Sequence, residues 1–173
     1  MTIALTGATG FIGDHLLRRL VEAGHEVRAL TRRELPPAAH VEWIAGDLAD
    51  DAALDRLVSG CLAVIHVAGV LNAPGRAGFE KGNVAGTAAI LKAAASAAVH
   101  RFVHVSSLAA RKPQLSLYGA SKARSEEIVS GTALPFAIVR PPAVYGPGDR
   151  ETLGRLPVEP DARLEGRTVV QIG

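Results

Sequence analysis

Tyr118 and Lys122 are the two residues whose types and spacing most directly suggest chemistry. They lie four positions apart in a segment of helical composition, so on a helix they share one face about a turn apart. A phenol with its ordinary pKa of about 10 is a poor base at neutral pH, but a neighbouring ammonium favours the phenolate and lowers that pKa. The pair can therefore transfer a proton near neutral pH. Taken alone, the same spacing is more common among exposed pairs that do no chemistry.

A glycine-rich segment near the N-terminus, residues 6–13 (TGATGFIG), is the second chemical feature. Gly7 permits a tight turn, Gly10 lets a diphosphate approach the backbone, and Gly13 lets the following helix pack closely on the strand. The helix N-terminus behind it presents unpaired N–H groups and a partial positive charge to phosphates. The spacing differs from the G-x-G-x-x-G fingerprint, and a plain glycine turn between a strand and a helix is the alternative.

The elements that must position these residues follow from the hydrophobic pattern. Short β-branched runs alternate with longer segments rich in alanine and leucine, which is typical of a parallel sheet with crossover helices. The predicted strands cover residues 2–6, 26–31, 41–45, 63–67, 101–106 and 136–140. The predicted helices cover residues 11–23, 51–58, 78–98 and 117–130. Because the strands are almost continuously apolar, we expect a doubly wound α/β domain that binds ligands at the carboxyl ends of its strands.

The composition excludes several classes of protein. A length of 173 residues predicts one domain, and an apolar fraction of 48% with 21% charged residues excludes a disordered chain. Only 4% of the residues are aromatic, so the core must be aliphatic. The formal net charge is +2, and lysine and arginine never run longer than pairs, so nucleic acid is not expected as a partner.

Cysteine and histidine usage argues against metals and disulfides. Cys61 is the single cysteine, so it closes no intrachain disulfide and builds no thiolate metal cluster, which fits a reducing, cytoplasmic setting. His100 and His104 lack a carboxylate or cysteine partner, and no metal site is expected there. The apolar runs are shorter than the ~18 residues of a membrane span. With no basic leader at the N-terminus, we expect an unprocessed protein with no membrane partner.

Seven short motifs follow one another along the chain. They are residues 6–13 (TGATGFIG), Asp47-Leu48, 66–69 (HVAG), 83–87 (NVAGT), 105–107 (VSS), 118–122 (YGASK) and 140–148 (RPPAVYGPG). In this order they resemble the motifs of the extended, epimerase/dehydratase-like branch of the short-chain dehydrogenase/reductase superfamily. The resemblance covers residues 2 to about 149 and implies a Rossmann-like NAD(P)-binding domain.

The resemblance implies roles for polar residues near the strand ends. Tyr118 would exchange a proton with the substrate oxygen while a hydride moves at C4 of the nicotinamide, and Lys122 would also hold the ribose hydroxyls. Ser107 would hydrogen-bond the same oxygen, with Ser106 as the second choice because strand-end registers slip by one. Asn83 would lie near the active site, although a buried asparagine that satisfies helix backbone groups is the alternative.

The resemblance also implies which residues contact the cofactor. They are Gly7, Thr9, Gly10, Phe11, Ile12, Gly13, Asp47, Leu48, Val67, Ala68, Gly69, Lys122, Pro141, Pro142 and Val144. Asp47 would contact the adenine, and the backbone of Pro141, Pro142 and Val144 would contact the nicotinamide amide. A loop stiffened by prolines is the alternative for that last segment. His66 lies in the same region, but its simpler interpretation is a neutral, hydrogen-bonded core histidine.

Residues 31–33 (TRR) follow the second predicted strand and bear on the choice of cofactor. A carboxylate at this place would accept hydrogen bonds from the ribose of NAD, whereas an arginine would pair with the 2′-phosphate of NADP. We therefore expect NADP, with Arg32 on the 2′-phosphate and Arg33 as a helper, and NAD is allowed. An exposed charged turn is the alternative for both arginines.

Three functions fit these residues. The leading one is an NAD(P)-dependent oxidoreductase that interconverts a carbonyl and an alcohol on a small-molecule substrate. A nucleotide-sugar epimerase or dehydratase of the same branch is the second, and Arg32 argues mildly against it because those enzymes commonly hold NAD. A non-catalytic NADP-sensing or assembly protein is the third. It is disfavoured because Ser107, Tyr118 and Lys122 are all present, whereas such relatives typically lose the tyrosine or the lysine.

The end of the chain differs from the rest. Residues 1–150 account for a cofactor-binding domain that includes the Ser/Tyr/Lys set, and residues 151–173 read as a remnant of a C-terminal substrate-binding lobe. That remnant has one strand-like run, at residues 168–172, and fragments that resemble pieces lying far apart in the family. We therefore expect the chain to be incomplete. The resemblance also allows a homodimer built on the helices at residues 78–98 and 117–130.

Overall fold

The structure, a computed structural model, describes residues 1–146 and the backbone of residues 169–171. Its strands are β1 (Thr2–Thr6), β2 (Glu26–Thr31), β3 (Val41–Ala45), β4 (Ala63–His66), β5 (Arg101–Val105), β6 (Phe136–Val139), β7 (Ala143–Tyr145) and β8 (Val169–Gln171). Its α-helices are α1 (Phe11–Glu22), α2 (Asp51–Val58), α3 (Gly75–Phe79), α4 (Gly86–Ser96) and α5 (Leu117–Ser130). A π-helical segment occupies Glu80–Ala85, and 3-10 turns occupy Leu108–Arg111 and Pro113–Leu115.

Six parallel strands form one sheet in the order β3-β2-β1-β4-β5-β6. This order confirms the predicted doubly wound, Rossmann-like architecture. The strand order reverses between β1 and β4, where Thr6 pairs with His66, and His66 in turn pairs with His104 on β5. Ligands of such sheets bind in the crevice outside the carboxyl ends at this reversal, so these residues mark where the site must lie.

The predicted element bounds agree with the observed ones to within one residue, except for the helix expected at residues 78–98. A helix lies there, but its predicted bounds are wrong, because helical structure begins at Gly75, widens into the π-helical segment and ends at Ser96. Ala98 beyond it has a left-handed backbone with φ 51°, which stops the helix. A Cβ on Gly82 would lie 2.8 Å from a Val70 methyl, so a glycine lets the wider turn pack here.

The core occupies both faces of the sheet and is mainly aliphatic, as the composition predicted. On one face lie residues of α2, α4 and the central strands, among them Leu54, Leu57, Val64, Ile90 and Phe102. On the other face, α1 packs with Leu17 against Leu5, Val27 and Ala29. Among the described residues, no helix combines the length and apolar composition that crossing a membrane requires.

The short strand β7 pairs in parallel with β8, with Ala143 opposite Val169 and Tyr145 opposite Gln171. The strand-like run expected at residues 168–172 is thereby confirmed as β8. The other residues of the expected C-terminal remnant, 151–168, 172 and 173, lie outside the described part of the chain. The division into a cofactor domain and a lobe remnant stays a prediction.

Gly13 is the tightest point of the contact between α1 and the turn after β1, and this contact generates a prediction. A Cβ on Gly13 would lie 1.9 Å from the carbonyl oxygen of Gly7, so Gly13→Ala should lower the free energy of unfolding by about 3 kcal/mol. Gly131→Ala is the matched control, since a Cβ there meets only ordinary contacts at 3.6 Å and should change stability by at most about 0.5 kcal/mol. Urea unfolding measures both, and equal effects would contradict the prediction.

Candidate active site

The glycine-rich turn after β1 forms one wall of the crevice. Gly7 has φ +77°, a conformation that favours glycine, and a Cβ on it would lie 2.6 Å from the backbone nitrogen of Ala68. The Gly10 N–H donates to the Gly7 carbonyl at 3.0 Å, which closes the turn. Thr9 and Gly10 are exposed, and α1 begins at Phe11 without a side-chain cap. The first N–H groups of α1 therefore have no side-chain partner, which suits an anionic ligand.

An open groove of about 390 Å³ lies beside the ends of β2 and β3. It is lined by Arg32, Gly46, Asp47, Ala49 and Asp50. Arg32 is exposed, and the neighbouring Arg33 is tied through its backbone N–H to Thr31 Oγ1 at 3.1 Å. The glycine turn and the groove lie along the same edge of the sheet. Their residues together therefore fit an extended ligand such as a dinucleotide.

Asp47 and Leu48, two of the predicted cofactor contacts, face different ways. The Asp47 carboxylate is exposed at the groove and accepts a hydrogen bond from the Ala49 N–H at 2.8 Å. Leu48 instead packs inward, since a Cβ on Gly86 at the start of α4 would lie 2.7 Å from its methyl. Of the two, Asp47 is the residue whose side chain faces the groove.

Ser107, Tyr118 and Lys122 come together beyond the end of β5. The Tyr118 hydroxyl hydrogen-bonds the Ser107 side chain, and the Lys122 Nζ donates to the Val105 carbonyl at 2.9 Å. The Tyr118 ring also packs at 6.3 Å from the ring of Phe79 at the end of α3. The structure thus gathers the predicted proton-transfer set at the carboxyl end of the sheet.

The two candidate serines face opposite ways. Ser106 is buried and its hydroxyl donates to Glu126 at 2.5 Å, whereas Ser107 meets Tyr118. Successive residues of an extended strand alternate faces, so only one of the two can reach the tyrosine. Ser107, the first choice, is the one that does.

The ionisation of the pair differs from the expectation. Burial raises the pKa of Tyr118, and the hydrogen bond with Ser107 only partly offsets this. The expected lowering of the Tyr118 pKa is wrong for the protein alone, because burial is the larger effect. Burial also lowers the pKa of Lys122 to about 8, against the opposing charge of Glu126. In the protein by itself Tyr118 is therefore a neutral phenol at pH 7.

Asn83 lies in the π-helical segment and is only 1% exposed. Its Oδ1 accepts from the Val70 N–H at 2.7 Å, and its Nδ2 donates to the Val70 carbonyl at 3.1 Å and to Ser121 Oγ at 2.8 Å. A Cβ on Gly69 would come within 2.9 Å of the same Oδ1, so the loop after β4 lies directly against this amide. Asn83 thus holds the loop and α5 together, which matches the alternative of a buried asparagine that satisfies backbone groups.

His66 is the neutral core histidine that the sequence suggested. It is fully buried, and its ring nitrogens contact Thr6 Oγ1 at 2.7 Å and Thr87 Oγ1 at 3.1 Å. Burial holds the pKa of His66 well below its ordinary value. Because Thr6 Oγ1 also accepts from the Ala68 N–H, the histidine ties the strand ends that support the glycine turn.

His104 stacks on His66 with ring centroids 5.4 Å apart. Its Nε2 contacts Ser125 Oγ at 3.0 Å, and burial lowers its pKa to about 3. Within the part of the chain that the structure describes, no group of three or more metal-ligating side chains is present.

The remaining predicted cofactor contacts lie around the same crevice. Ile12 is half-buried in α1, and Val67 continues the pairing of β4 with β1 through a hydrogen bond to the Thr6 carbonyl at 3.2 Å. The Pro141 carbonyl accepts a hydrogen bond from the Leu108 N–H at 2.9 Å. Because Leu108 follows Ser107 in the chain, this bond holds the proline segment next to Ser107. Pro142 and Val144 follow it and are half-buried.

Sequence reasoning missed three residues that shape the site. Glu126 accepts hydrogen bonds from Ser106 and Arg140, and a Cβ on Gly119 would lie 2.8 Å from the Ala109 carbonyl oxygen. Gly119 therefore lets α5 approach the turn after Ser107. The signal for Glu126 is its position four residues after Lys122, which continues the helical face of Tyr118 and Lys122.

The sequence pattern of the NAD dependent epimerase/dehydratase family matches residues 3–157. The chain belongs to this family. The resemblance to the NAD-dependent epimerase/dehydratase-like family is thereby confirmed, and a solved structure of a short-chain dehydrogenase/reductase superfamily protein shares the fold.

Two curated relatives and one solved structure illustrate the range of this family. The chain is 49% identical over 156 residues to a ceramide reductase of Caulobacter vibrioides, which covers 88% of this chain and 49% of the relative. It is 33% identical to a 4-hydroxy-2-methyl-3-oxo-4-farnesyl-3,4-dihydroquinoline-1-oxide ketoreductase of Stigmatella aurantiaca, over 90% of this chain and 54% of the relative. MoeE5 in complex with UDP-glucuronic acid and NAD is 29% identical with a TM-score of 0.76, over 86% and 56% of the two chains. The chain spans about half the length of the curated relatives it matches.

The ionisation of Tyr118 can be measured without any ligand. Tyr145→Phe leaves Tyr118 as the single tyrosine of the chain, and its phenolate absorbance in the ultraviolet should appear with a midpoint above pH of about 10, because burial disfavours the charge. Ser107→Ala in the same background should move the midpoint higher, since the opposing hydrogen bond is lost. Ser130→Ala, at the exposed end of α5, is the control and should leave the midpoint in place. A midpoint below about 10 would contradict the assignment.

Proposed function

We propose that the protein is an NADP-dependent reductase that converts a carbonyl of an apolar substrate to an alcohol, with NAD as the alternative cofactor. The observation that carries this proposal is the meeting of Ser107, Tyr118 and Lys122 at the carboxyl end of β5. Family membership and the two reductases among the relatives support the same class of reaction.

The residues around the crevice would hold the cofactor in a definite order. The glycine turn from Gly7 to Gly13 would bind the diphosphate, and Arg32 with Asp47 would bind the adenosine end. Lys122 would hold the nicotinamide ribose, and the Pro141 segment would lie against the nicotinamide. When bound, the dinucleotide supplies the hydride.

The chain's own side chains would handle the proton. Tyr118 is a neutral phenol at pH 7, so it can donate its proton to the carbonyl oxygen as negative charge develops there. Ser107, already bonded to the phenol, would hydrogen-bond the same oxygen and hold it in line with Tyr118. Lys122 keeps most of its positive charge at pH 7, which would stabilise the phenolate that remains.

The surroundings of Tyr118 favour an apolar substrate. Leu108 and Leu117, the neighbours of Ser107 and Tyr118 in the chain, are each 40% exposed, and Leu115 in the preceding turn is 73% exposed. Exposed apolar groups beside a polar set are typical of a surface that receives an apolar ligand. The names of the two reductase relatives mention ceramide and a farnesyl quinoline oxide, which are also largely apolar compounds.

A nucleotide-sugar epimerase or dehydratase is the second candidate. MoeE5, which was solved with UDP-glucuronic acid and NAD, is the observation in its favour. The two candidates differ in cofactor balance, because a reductase consumes one NADPH per carbonyl reduced, whereas an epimerase returns its hydride to the substrate.

Tyr118→Phe tests the proposed proton donor. With long-chain 3-oxo esters as substrates, the purified protein should oxidise NADPH stoichiometrically, and the variant should lose at least about 100-fold in kcat because the phenol proton is gone. Its NADPH affinity, measured by fluorescence titration, should be nearly unchanged. Tyr145→Phe, the same substitution at the other tyrosine, is the control.

Three outcomes of that assay decide between the candidates. Preference for short-chain over long-chain esters would contradict the apolar substrate. Conversion of a UDP-sugar without net NADPH consumption would favour the epimerase. Unchanged turnover in Tyr118→Phe would remove the catalytic assignment.

Arg32→Ala tests the choice of cofactor. Loss of a charge-assisted hydrogen bond to the 2′-phosphate should weaken NADPH binding by about tenfold or more and leave NADH binding nearly unchanged. Arg19→Ala, on the exposed face of α1, is the matched control and should change neither affinity. Equal losses for both cofactors, or tighter binding of NADH by the unaltered protein, would contradict the NADP assignment.

A further inference from the structure

Glu126 is a nearly buried carboxylate that the proposed chemistry does not use. Its residue exposure is 8%, and both of its oxygens are engaged. Ser106 Oγ donates to Oε1 at 2.5 Å, the Arg140 Nε lies 2.9 and 3.1 Å from the two oxygens, and the Arg140 Nη2 donates to Oε2 at 2.6 Å. A bidentate arginine pair of this kind defines the orientation of the carboxylate.

The position of Glu126 along α5 continues a series. Tyr118, Lys122 and Glu126 follow one another at intervals of one helical turn and therefore share a face. Along this face Tyr118 bonds Ser107, Lys122 bonds the Val105 carbonyl, and Glu126 bonds Ser106. Three consecutive residues at the end of β5 are thus each held by one turn of the same helix.

Glu126 also reaches the neighbouring strand end. The Ser106 N–H donates to the Val139 carbonyl at 2.8 Å, and the Leu108 N–H donates to the Pro141 carbonyl at 2.9 Å. Arg140 lies between these two carbonyls in the chain, so its ion pair with Glu126 clamps the segment that leads into the prolines. One carboxylate therefore joins the residue before Ser107 to the residue before Pro141.

We propose that Glu126 is a positioning residue, which aligns Ser107 with Tyr118 and sets the charge environment of Lys122 by clamping Ser106 and Arg140. This inference rests on the proposed function, because it assigns Glu126 a task within the same proton-transfer set.

The charge of Glu126 acts on Lys122 across one turn of the helix. Burial lowers the pKa of Lys122, and the carboxylate of Glu126 opposes that change. The other titratable or charged groups that face this pair are Tyr118 on α5, His104 on β5, His66 on β4 and Arg140 after β6. Both histidines are neutral at pH 7, and Arg140 is paired with Glu126, so neutralising the carboxylate removes the main support for the Lys122 charge.

The experiment compares Glu126→Gln with Glu127→Gln in the cofactor-free protein. Glu127 is the next residue of the same helix, is exposed, and undergoes the same chemical change. The chain has four lysines, so a sample with ¹³C-labelled lysine ε-carbons resolves the Lys122 resonance by NMR, assigned with Lys122→Arg. Glu126→Gln should lower the Lys122 titration midpoint by about half a pH unit or more, because the opposing charge is lost.

A second readout tests alignment. In the Tyr145→Phe background, Glu126→Gln should raise the Tyr118 midpoint in the same direction as Ser107→Ala, since the Ser107 hydrogen bond is no longer held in place. Glu127→Gln should move neither midpoint. If the Lys122 and Tyr118 titration midpoints are the same in Glu126→Gln as in Glu127→Gln, the inference is overturned.

Two provisions keep the test decisive. If Glu126→Gln does not fold, Arg140→Gln takes its place. Arg140→Gln should raise the Lys122 titration midpoint, because the guanidinium no longer balances the negative charge of Glu126. No change relative to Glu127→Gln would again overturn the inference. Since neither titration uses a cofactor, a failure to bind NADPH would overturn the proposed function without altering these outcomes.

Discussion

The polar docking of α5 against the carboxyl end of β5 and against the π-helical segment is the interaction on which the site depends. The buried side of this helix carries Ser121, Lys122, Ser125 and Glu126, with Val129 as its fully buried apolar side chain. Buried polar groups are costly unless they are paired, so each of them demands a specific partner. An apolar contact would tolerate small shifts of α5 along its axis, whereas these hydrogen bonds can all form at only one position of the helix.

The same docking connects the two halves of the crevice. Ser121 on α5 bonds Asn83, Asn83 holds Val70 after β4, and Thr87 links the Asn83 carbonyl to His66. His66 in turn bonds Thr6, whose hydroxyl accepts from the Ala68 N–H beside the glycine turn. Fully paired buried networks are rigid, because breaking any member leaves an unsatisfied group. The set of Ser107, Tyr118 and Lys122 and the glycine turn are therefore held at one spacing.

Burial has opposite consequences for the two ionisable members of that set. It disfavours the charged form of each, so the pKa of Tyr118 rises while the pKa of Lys122 falls to about 8. A neutral phenol therefore lies one helical turn from an ammonium whose pKa is lowered. Glu126 moderates the effect on Lys122, which keeps the ammonium charged at neutral pH.

The sequence by itself determined the alternation of strands and helices, the glycine turn and the Tyr118–Lys122 pair, because periodicity and turn chemistry depend on residues a few positions apart. It predicted α5 within its observed bounds but not the polar face with which that helix docks. Tertiary structure alone decided that Ser107 rather than Ser106 meets Tyr118, that Glu126 joins Ser106 to Arg140, that a π-helical segment carries Asn83, and that the pKa of Tyr118 rises. These depend on burial and on pairs such as Thr6 and His66, 60 positions apart, which no local spacing encodes.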